Sequence, residues 1–183
     1  MQTSESVTFA LLLSENETIY FNLEHPLASM KSLKIQPPTY FFIVLSIMVM
    51  FHFWGPGWQI IPRSAKPSGF VFLALSALLA TWSVIHFRRH KTTTEPFGTP
   101  TALVTSGPYQ ISRNPMYTSQ IIALIGFALL MGSVIPFILL VLFPFGMSYF
   151  YIRHEERKLQ ELFGDEFRNY SSKVGRWFRW LQT

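Results

Sequence analysis

The chain has no cysteine among its 183 residues. That excludes disulfides, thiolate metal sites and cysteine nucleophiles, and says little about compartment. Charge is also scarce: only 14% of residues are Asp, Glu, Lys or Arg, and ten acidic residues stand against fifteen basic ones. A water-soluble domain carries about a quarter charged residues, so this chain is drawn from another class. Metal ligands are lacking as well. His52 and His86 each lie near the end of an apolar run, where a neutral, hydrogen-bonded packing histidine is the default. His90 and His154 flank charged clusters, no third ligand stands at usable spacing, and no metal is expected. There is no internal repeat, no low-complexity tract, and no basic stripe interleaved with solvent-facing aromatics. Nucleic acid is thereby set aside as a partner.

Apolar side chains fill the sequence instead. Hydrophobic residues make up 49% and aromatics 16%, and the mean hydropathy is +0.26. Crossing the hydrocarbon core as a helix takes about 20 apolar residues, and four segments approach this: 39–61, 69–87, 116–132 and 133–152. The first is interrupted by Gly55-Pro56-Gly57, which predicts a kink or interfacial turn. The second has no charge and ends on Arg88-Arg89-His90-Lys91. The third and fourth meet at Gly132-Ser133, which leaves room only for a tight turn between antiparallel neighbours. The expected fold is all-α and polytopic, with about four transmembrane helices, a tight hairpin of the third and fourth spans, and amphipathic carboxy-terminal helices.

Basic residues orient the spans. With four spans and the amino terminus inside, thirteen of the fifteen fall on one side: Lys31, Lys34, Arg88, Arg89, Lys91, Arg113 and seven between Arg153 and Arg179. Only Arg63 and Lys66 lie opposite, so the thirteen are expected in the cytosol. The isoelectric point near 9.6 then reads as attraction to anionic headgroups.

Residues 1–38 read as an amino-terminal arm, and 39–183 as the membrane domain. The arm has a short apolar run from Val7 to Leu13 with no basic region ahead of it, so a cleaved signal peptide is not expected. Asn16-Glu17-Thr18 fits a glycosylation acceptor by pattern but falls on the cytosolic face of this topology. The runs Tyr149-Phe150-Tyr151 and Trp177-Phe178-Arg179-Trp180 read as interfacial belts.

Chemistry concentrates between residues 88 and 180. Leu103 to Tyr117 places an arginine and a proline-broken polar turn against a span, which membrane packing does not require. An apolar hairpin of about forty residues follows, then Glu155-Glu156-Arg157-Lys158-Leu159, so the hairpin brings two polar clusters together. Taken singly, Arg113 is an ordinary interfacial anchor, and Glu155-Glu156 open a solvated amphipathic helix whose Leu159, Leu162 and Phe163 face the bilayer. The pattern Gly-x-Tyr, Arg113-Asn114-Pro115-Met116-Tyr117, hairpin, Glu-Glu-x-x-Leu, Phe163-Gly164-Asp165-Glu166-Phe167 and Tyr170 resembles the isoprenylcysteine carboxyl methyltransferase and phospholipid N-methyltransferase superfamily of membrane enzymes.

The resemblance implies methyl transfer from S-adenosyl-L-methionine to a lipophilic, membrane-embedded acceptor. It places cofactor contacts at Thr101, Ala102, Leu103, Val104, Tyr109, Asn114, Pro115, Met116, Tyr117, Glu155 and Glu156, and catalytic roles at Arg113 and Asn114. These side chains are of the types such a cofactor asks for: carboxylates for its cations, a basic or amide group for its carboxylate, and apolar and aromatic walls. The isoprenylcysteine enzymes usually have histidine at the position of Asn114, where the phospholipid enzymes use Asn-Pro-Met-Tyr. Their substrate arginine falls at Tyr151, which weakens the case for a carboxylate acceptor, with Arg153, close in sequence, as the substitute cation. Carboxylate, amine, hydroxyl and thiol acceptors all stay open. Two other classes are compatible with the pattern: an NADPH-dependent membrane enzyme like the sterol reductases, and a non-enzymatic membrane scaffold. No segment marks an obligate protein partner.

Overall fold

A computed structural model describes residues 36–55, 58–89 and 100–178. Most of the amino-terminal arm, including the 7–13 run and the 16–18 pattern, lies outside the described residues. So do Pro56, Gly57, residues 90–99 of the polar loop, and the tail from Arg179.

The described part is helical, without a strand; one isolated antiparallel bridge joins Gln59 to Ser133. Helices α1 (Pro37–Trp54) and α2 (Ser68–Arg89) come first, followed by a short 3-10 turn at Gly107–Gln110. Then come α3 (Pro115–Met131), α4 (Val134–Met147), a π turn at Ser148–Ile152 and α5 (Arg153–Lys173). Proline stands in the first turn of both α1 and α3, where its fixed φ suits the helix and its missing amide costs nothing.

Three helical runs are long and apolar enough to cross a membrane: α1, α2 and the continuous run Val134–Lys173. The apolar part of that last run ends at Ile152, and from Arg153 onward it is polar. Helix α3, expected as a further span, is apolar but 17 residues long, at the lower limit for crossing. Phe70, Val71, Leu75, Leu78, Trp82 and Ile85 of α2 are all exposed. Such a stripe of large apolar side chains suits a hydrocarbon surrounding and not water.

Within hydrocarbon, close backbone approach and buried polar links hold helices together, because lipid is as apolar as the helix surface. Helices α2 and α3 show both. A β-carbon at Gly69 would stand 2.5 Å from the Gly126 carbonyl oxygen, and one at Gly126 would stand 2.8 Å from that of Gly69. Nearer the other end, the buried Ser76 hydroxyl donates to the Ser119 carbonyl at 2.7 Å. These pairs run in opposite senses along the two helices, so α2 and α3 are antiparallel.

The hairpin turn is as tight as the sequence requires. Gly132 takes φ +71, a left-handed conformation that favours glycine, and its carbonyl accepts the amides of Ile60 and Ile61 at 2.8 and 3.2 Å. Lys66 Nζ donates to the Met131 carbonyl at 3.0 Å, closing the end of α3. His52, at the end of α1, meets the Ser133 hydroxyl at 3.1 Å.

The core lies between α1, α3 and α4, around Met48, Leu124, Phe143 and Met147. Tyr40 of α1 stacks on Phe143 with ring centroids 5.3 Å apart. Two belt expectations are corrected here. Tyr149 and Phe150 are exposed, but Tyr151 is buried in this core, and Trp177 packs against it. The cause of the first is the π turn, whose wider winding brings Tyr151 and Ile152 inward in succession.

Candidate functional site

One end of the bundle gathers the start of α1, the end of α2, the start of α3 and the start of α5 around a cavity of about 270 Å³, of the order of a small-molecule site. Ala102, Leu103, Val104, Tyr109, Arg113, Asn114, Pro115, Met116, Tyr117, Glu155 and Glu156 all line it. Thr101, the one other residue expected at the site, is not among the lining residues. Sequence reasoning missed Phe87, Gln120, Lys158, Leu159, Phe167 and Tyr170, which also line the cavity.

The Arg113 side chain is only 9% exposed, so it is no interfacial anchor. Its Nη1 lies 2.9 Å from Glu156 Oε1. Arg176 reaches the other oxygen of the same carboxylate, donating from Nε at 2.9 Å and from Nη2 at 2.6 Å. Glu156 is thus held between two guanidiniums.

The chain around Arg176 is tied down in parallel. The Arg113 amide donates to the Gly175 carbonyl at 3.0 Å. The Arg176 carbonyl accepts from the Ser112 hydroxyl at 3.0 Å and from the Asn114 carboxamide at 3.2 Å. Asn114 has φ −128 and ψ 58, outside the α region that Pro115 disfavours for the residue before it. Its carboxamide is turned to Arg176 instead of capping α3, while Ser112 Oγ accepts its amide at 3.0 Å.

Glu155 sits differently. Its Oε1 accepts the Tyr117 hydroxyl at 2.6 Å, and no guanidinium pairs with it among the described residues. Burial is the main cause that raises its carboxyl to about 7; the neighbouring Glu156 adds to the rise, and the Tyr117 hydrogen bond and Lys158 oppose it. Burial also lowers the Arg113 guanidinium from its ordinary value, with Arg176 acting in the same direction and Glu156 against it.

The aromatic wall is fixed by a hydrogen bond of 2.6 Å from the Tyr170 hydroxyl to the Tyr109 carbonyl. Tyr109 lies against Phe87 with centroids 5.8 Å apart, and Phe167 lies 6.0 Å below the Arg113 guanidinium, a cation–π distance. Burial raises the hydroxyls of Tyr109 and Tyr170 above the ordinary tyrosine range, so both are neutral donors. His86, expected as a packing histidine, meets the Ser106 hydroxyl at 2.8 Å. Among the described residues, no three His, Asp or Glu side chains come together as a metal site.

Three buried polar atoms in this wall have no hydrogen-bond partner among the described residues: Arg113 Nε, a donor, and Gln120 Oε1 and Glu156 Oε1, acceptors, the last of which still faces Arg113 Nη1 as an ion pair at 2.9 Å. Buried polar groups are rarely left so. With the available Glu155 carboxylate, Arg113 Nε and Gln120 Oε1 give the cavity a donor and two acceptors over apolar walls. That set fits a ligand carrying both an ammonium and a carboxylate.

Residues 66–166, more than half of the chain, match the phospholipid methyltransferase family. The chain belongs to that family, whose members transfer methyl groups to lipid-like acceptors and generally use S-adenosylmethionine. An "Uncharacterized protein" of Haemophilus influenzae (strain ATCC 51907 / DSM 11121 / KW20 / Rd) is 36% identical over 62 residues, which is 34% of this chain and 98% of that protein. No solved structure matches the chain.

Proposed function

We propose that the chain is an S-adenosyl-L-methionine-dependent methyltransferase acting on a lipophilic, membrane-embedded acceptor. The observation that carries this is the pairing of an available carboxylate, Glu155, with a donor-rich guanidinium, Arg113, in one apolar-walled cavity at the polar end of the bundle. Glu155 with Tyr117 would hold the cofactor's ammonium, and Arg113 its carboxylate. Ala102, Leu103, Val104, Leu159 and Phe167 supply walls for the adenine.

When bound, the cofactor supplies a methyl group already activated by its sulfonium, for in-line displacement. The protein's part is positioning and electrostatics. Pro115 and the Ser112–Asn114–Arg176 links fix how Arg113 and Tyr117 present to the cavity. The Phe87 and Phe167 rings and the ring faces of Tyr109 and Tyr170 exclude water and tolerate positive charge. No side chain is required to act as nucleophile.

With four spans, the thirteen-to-two distribution of basic residues puts the cavity on the cytosolic side. A charged cofactor then approaches from water while a lipid acceptor stays in the bilayer, and neither crosses hydrocarbon in the wrong state. At Tyr151, where isoprenylcysteine enzymes carry a substrate arginine, the side chain is buried in the core. That position offers no cation for a carboxylate acceptor. The family does not favour the sterol-reductase-like alternative.

Lipid extracts from cells with and without the protein, compared for gains of one methyl mass, test the activity. A lipid species methylated only in its presence is expected. Unchanged lipids, together with thermal stabilisation by NADPH and none by S-adenosylhomocysteine, would replace this reading with the reductase one.

A further inference from the structure

Glu156 and Arg113 fall in the family match, which ends at residue 166; Arg176 lies beyond it. Yet Arg176 makes two polar contacts to Glu156, at 2.6 and 2.9 Å, both on Oε2, and the first is shorter than the 2.9 Å contact from Arg113. Arg113 faces Oε1 through a single nitrogen, Nη1. Two guanidiniums share one carboxylate, so the cluster keeps one positive charge. Its side chains are 9%, 13% and 25% exposed for Arg113, Glu156 and Arg176, where water screens weakly. Of the two cations, Arg113 is the one that lines the cavity, and its buried Nε has no partner among the described residues.

Without Arg176 the arithmetic of charge changes. Glu156 and Arg113 would form a neutral pair, and the carboxylate, left with one partner, would draw the guanidinium toward a two-nitrogen contact, the geometry Arg–carboxylate pairs favour. Arg113 would then offer the cavity less charge and a reoriented donor. The backbone ties through Gly175 and the Arg176 carbonyl do not depend on the Arg176 side chain, so the surrounding turn is held independently.

We propose that Arg176 is a positioning residue: by occupying Glu156 Oε2, it keeps Arg113 as the cation that recognises a carboxylate in the cavity. This rests on the reading of the cavity as a site for S-adenosylmethionine, and specifically concerns the carboxylate end of that ligand. It makes the segment after α5 part of the site's specificity, not only a carboxy-terminal extension.

The test uses the full chain in nanodiscs and two ligands, S-adenosylhomocysteine and its decarboxylated analogue, titrated calorimetrically. Wild type should prefer the carboxylate-bearing ligand by about tenfold or more. In Arg176→Gln that preference should fall to about threefold or less, while affinity for the decarboxylated analogue stays near wild type. The double variant Arg176→Gln/Glu156→Gln removes the competing carboxylate and should restore the preference. Equal weakening of both ligands in Arg176→Gln would show a purely structural role and overturn the proposal. So would failure of the double variant to restore the preference, or a wild type that binds both ligands equally. A wild type that binds neither would overturn the cofactor reading itself.

Discussion

The Tyr117 hydroxyl donates to Glu155 Oε1 at 2.6 Å, linking the first turn of α3 to the first turn of α5 across the apolar hairpin. The contact fixes the one cavity carboxylate that no guanidinium holds, and it separates the work of two adjacent glutamates. Glu155 is available to a ligand; Glu156 is consumed by Arg113 and Arg176.

That division predicts opposite phenotypes for neighbouring substitutions. Glu156→Gln leaves two guanidiniums facing each other with no anion between them, and breaking such a largely buried pair costs about 3 kcal/mol. Thermal unfolding in detergent should show a clear loss of stability. Glu155→Gln should be at least as stable as wild type at neutral pH, because it removes a carboxyl whose raised value reflects a burial cost. A Glu156 variant as stable as wild type would mean that the ion cluster does not hold the carboxy-terminal segment.

Binding should depend on pH through Glu155. Its carboxyl, raised by burial to about 7 in the free protein, must be ionised to hold a cation. Affinity for S-adenosylhomocysteine should therefore rise from pH 6 to 8, by up to about tenfold per unit below 7, and level off above. The sign for stability is the reverse. Between the ordinary carboxyl value of 4.5 and about 7 the folded state binds more protons than the unfolded one, so this group's contribution to stability falls as pH rises through that window. Glu155→Gln should flatten both profiles. A persisting pH dependence of binding in that variant would assign it to another group.

Gly69→Val should break the α2–α3 crossing. A side chain there meets the Gly126 carbonyl and Leu130, and overpacking of this kind costs about 1–3 kcal/mol. Urea or thermal unfolding in lipid or detergent is the measurement. Unchanged stability would mean the helices cross elsewhere.

Much of the site could be read along the sequence because its residues fall in two short, motif-bearing stretches. Ten of the eleven residues expected to contact the cofactor line the cavity, together with Arg113. The contribution of Arg176 was not legible: its partners lie 20 residues away at Glu156 and 62 to 64 away at Asn114 and Ser112, a closure that no local pattern marks. Phe167 and Tyr170 reach the cavity beyond a bend at Gly164, where φ is +49. Hydropathy misread Tyr151 and Trp177 because lipid-facing and core-facing aromatics look alike where both surroundings are apolar. The π turn that buries Tyr151 has no counterpart in a count of 3.6 residues per turn.

Topology can be tested without knowledge of the acceptor. Reporter fusions at Thr183 should behave as cytosolic and those near Gly57 as external, from the distribution of basic residues. A cytosolic signal at Gly57, or an external one at Thr183, would contradict the four-span arrangement.

Pro115→Ala should lower turnover about a hundredfold at saturating cofactor, because small misplacements of Arg113, Asn114 and Tyr117 are costly in an in-line transfer. Assays across pH 6 to 9 with the acceptor found in lipid extracts would check this. Near-normal turnover in Pro115→Ala, beside a steep pH dependence abolished by one titratable substitution, would reveal an essential general base instead.

The most direct measurement is calorimetric titration of S-adenosylhomocysteine into wild type and Glu155→Gln at pH 8, where the carboxylate is ionised. Loss of a charge-assisted hydrogen bond in a buried pocket costs about 1.5–3 kcal/mol, so the variant should bind roughly ten- to 150-fold more weakly. Equal affinities, or no binding to wild type at all, would contradict the assignment of this cavity and of Glu155 to the methyl donor.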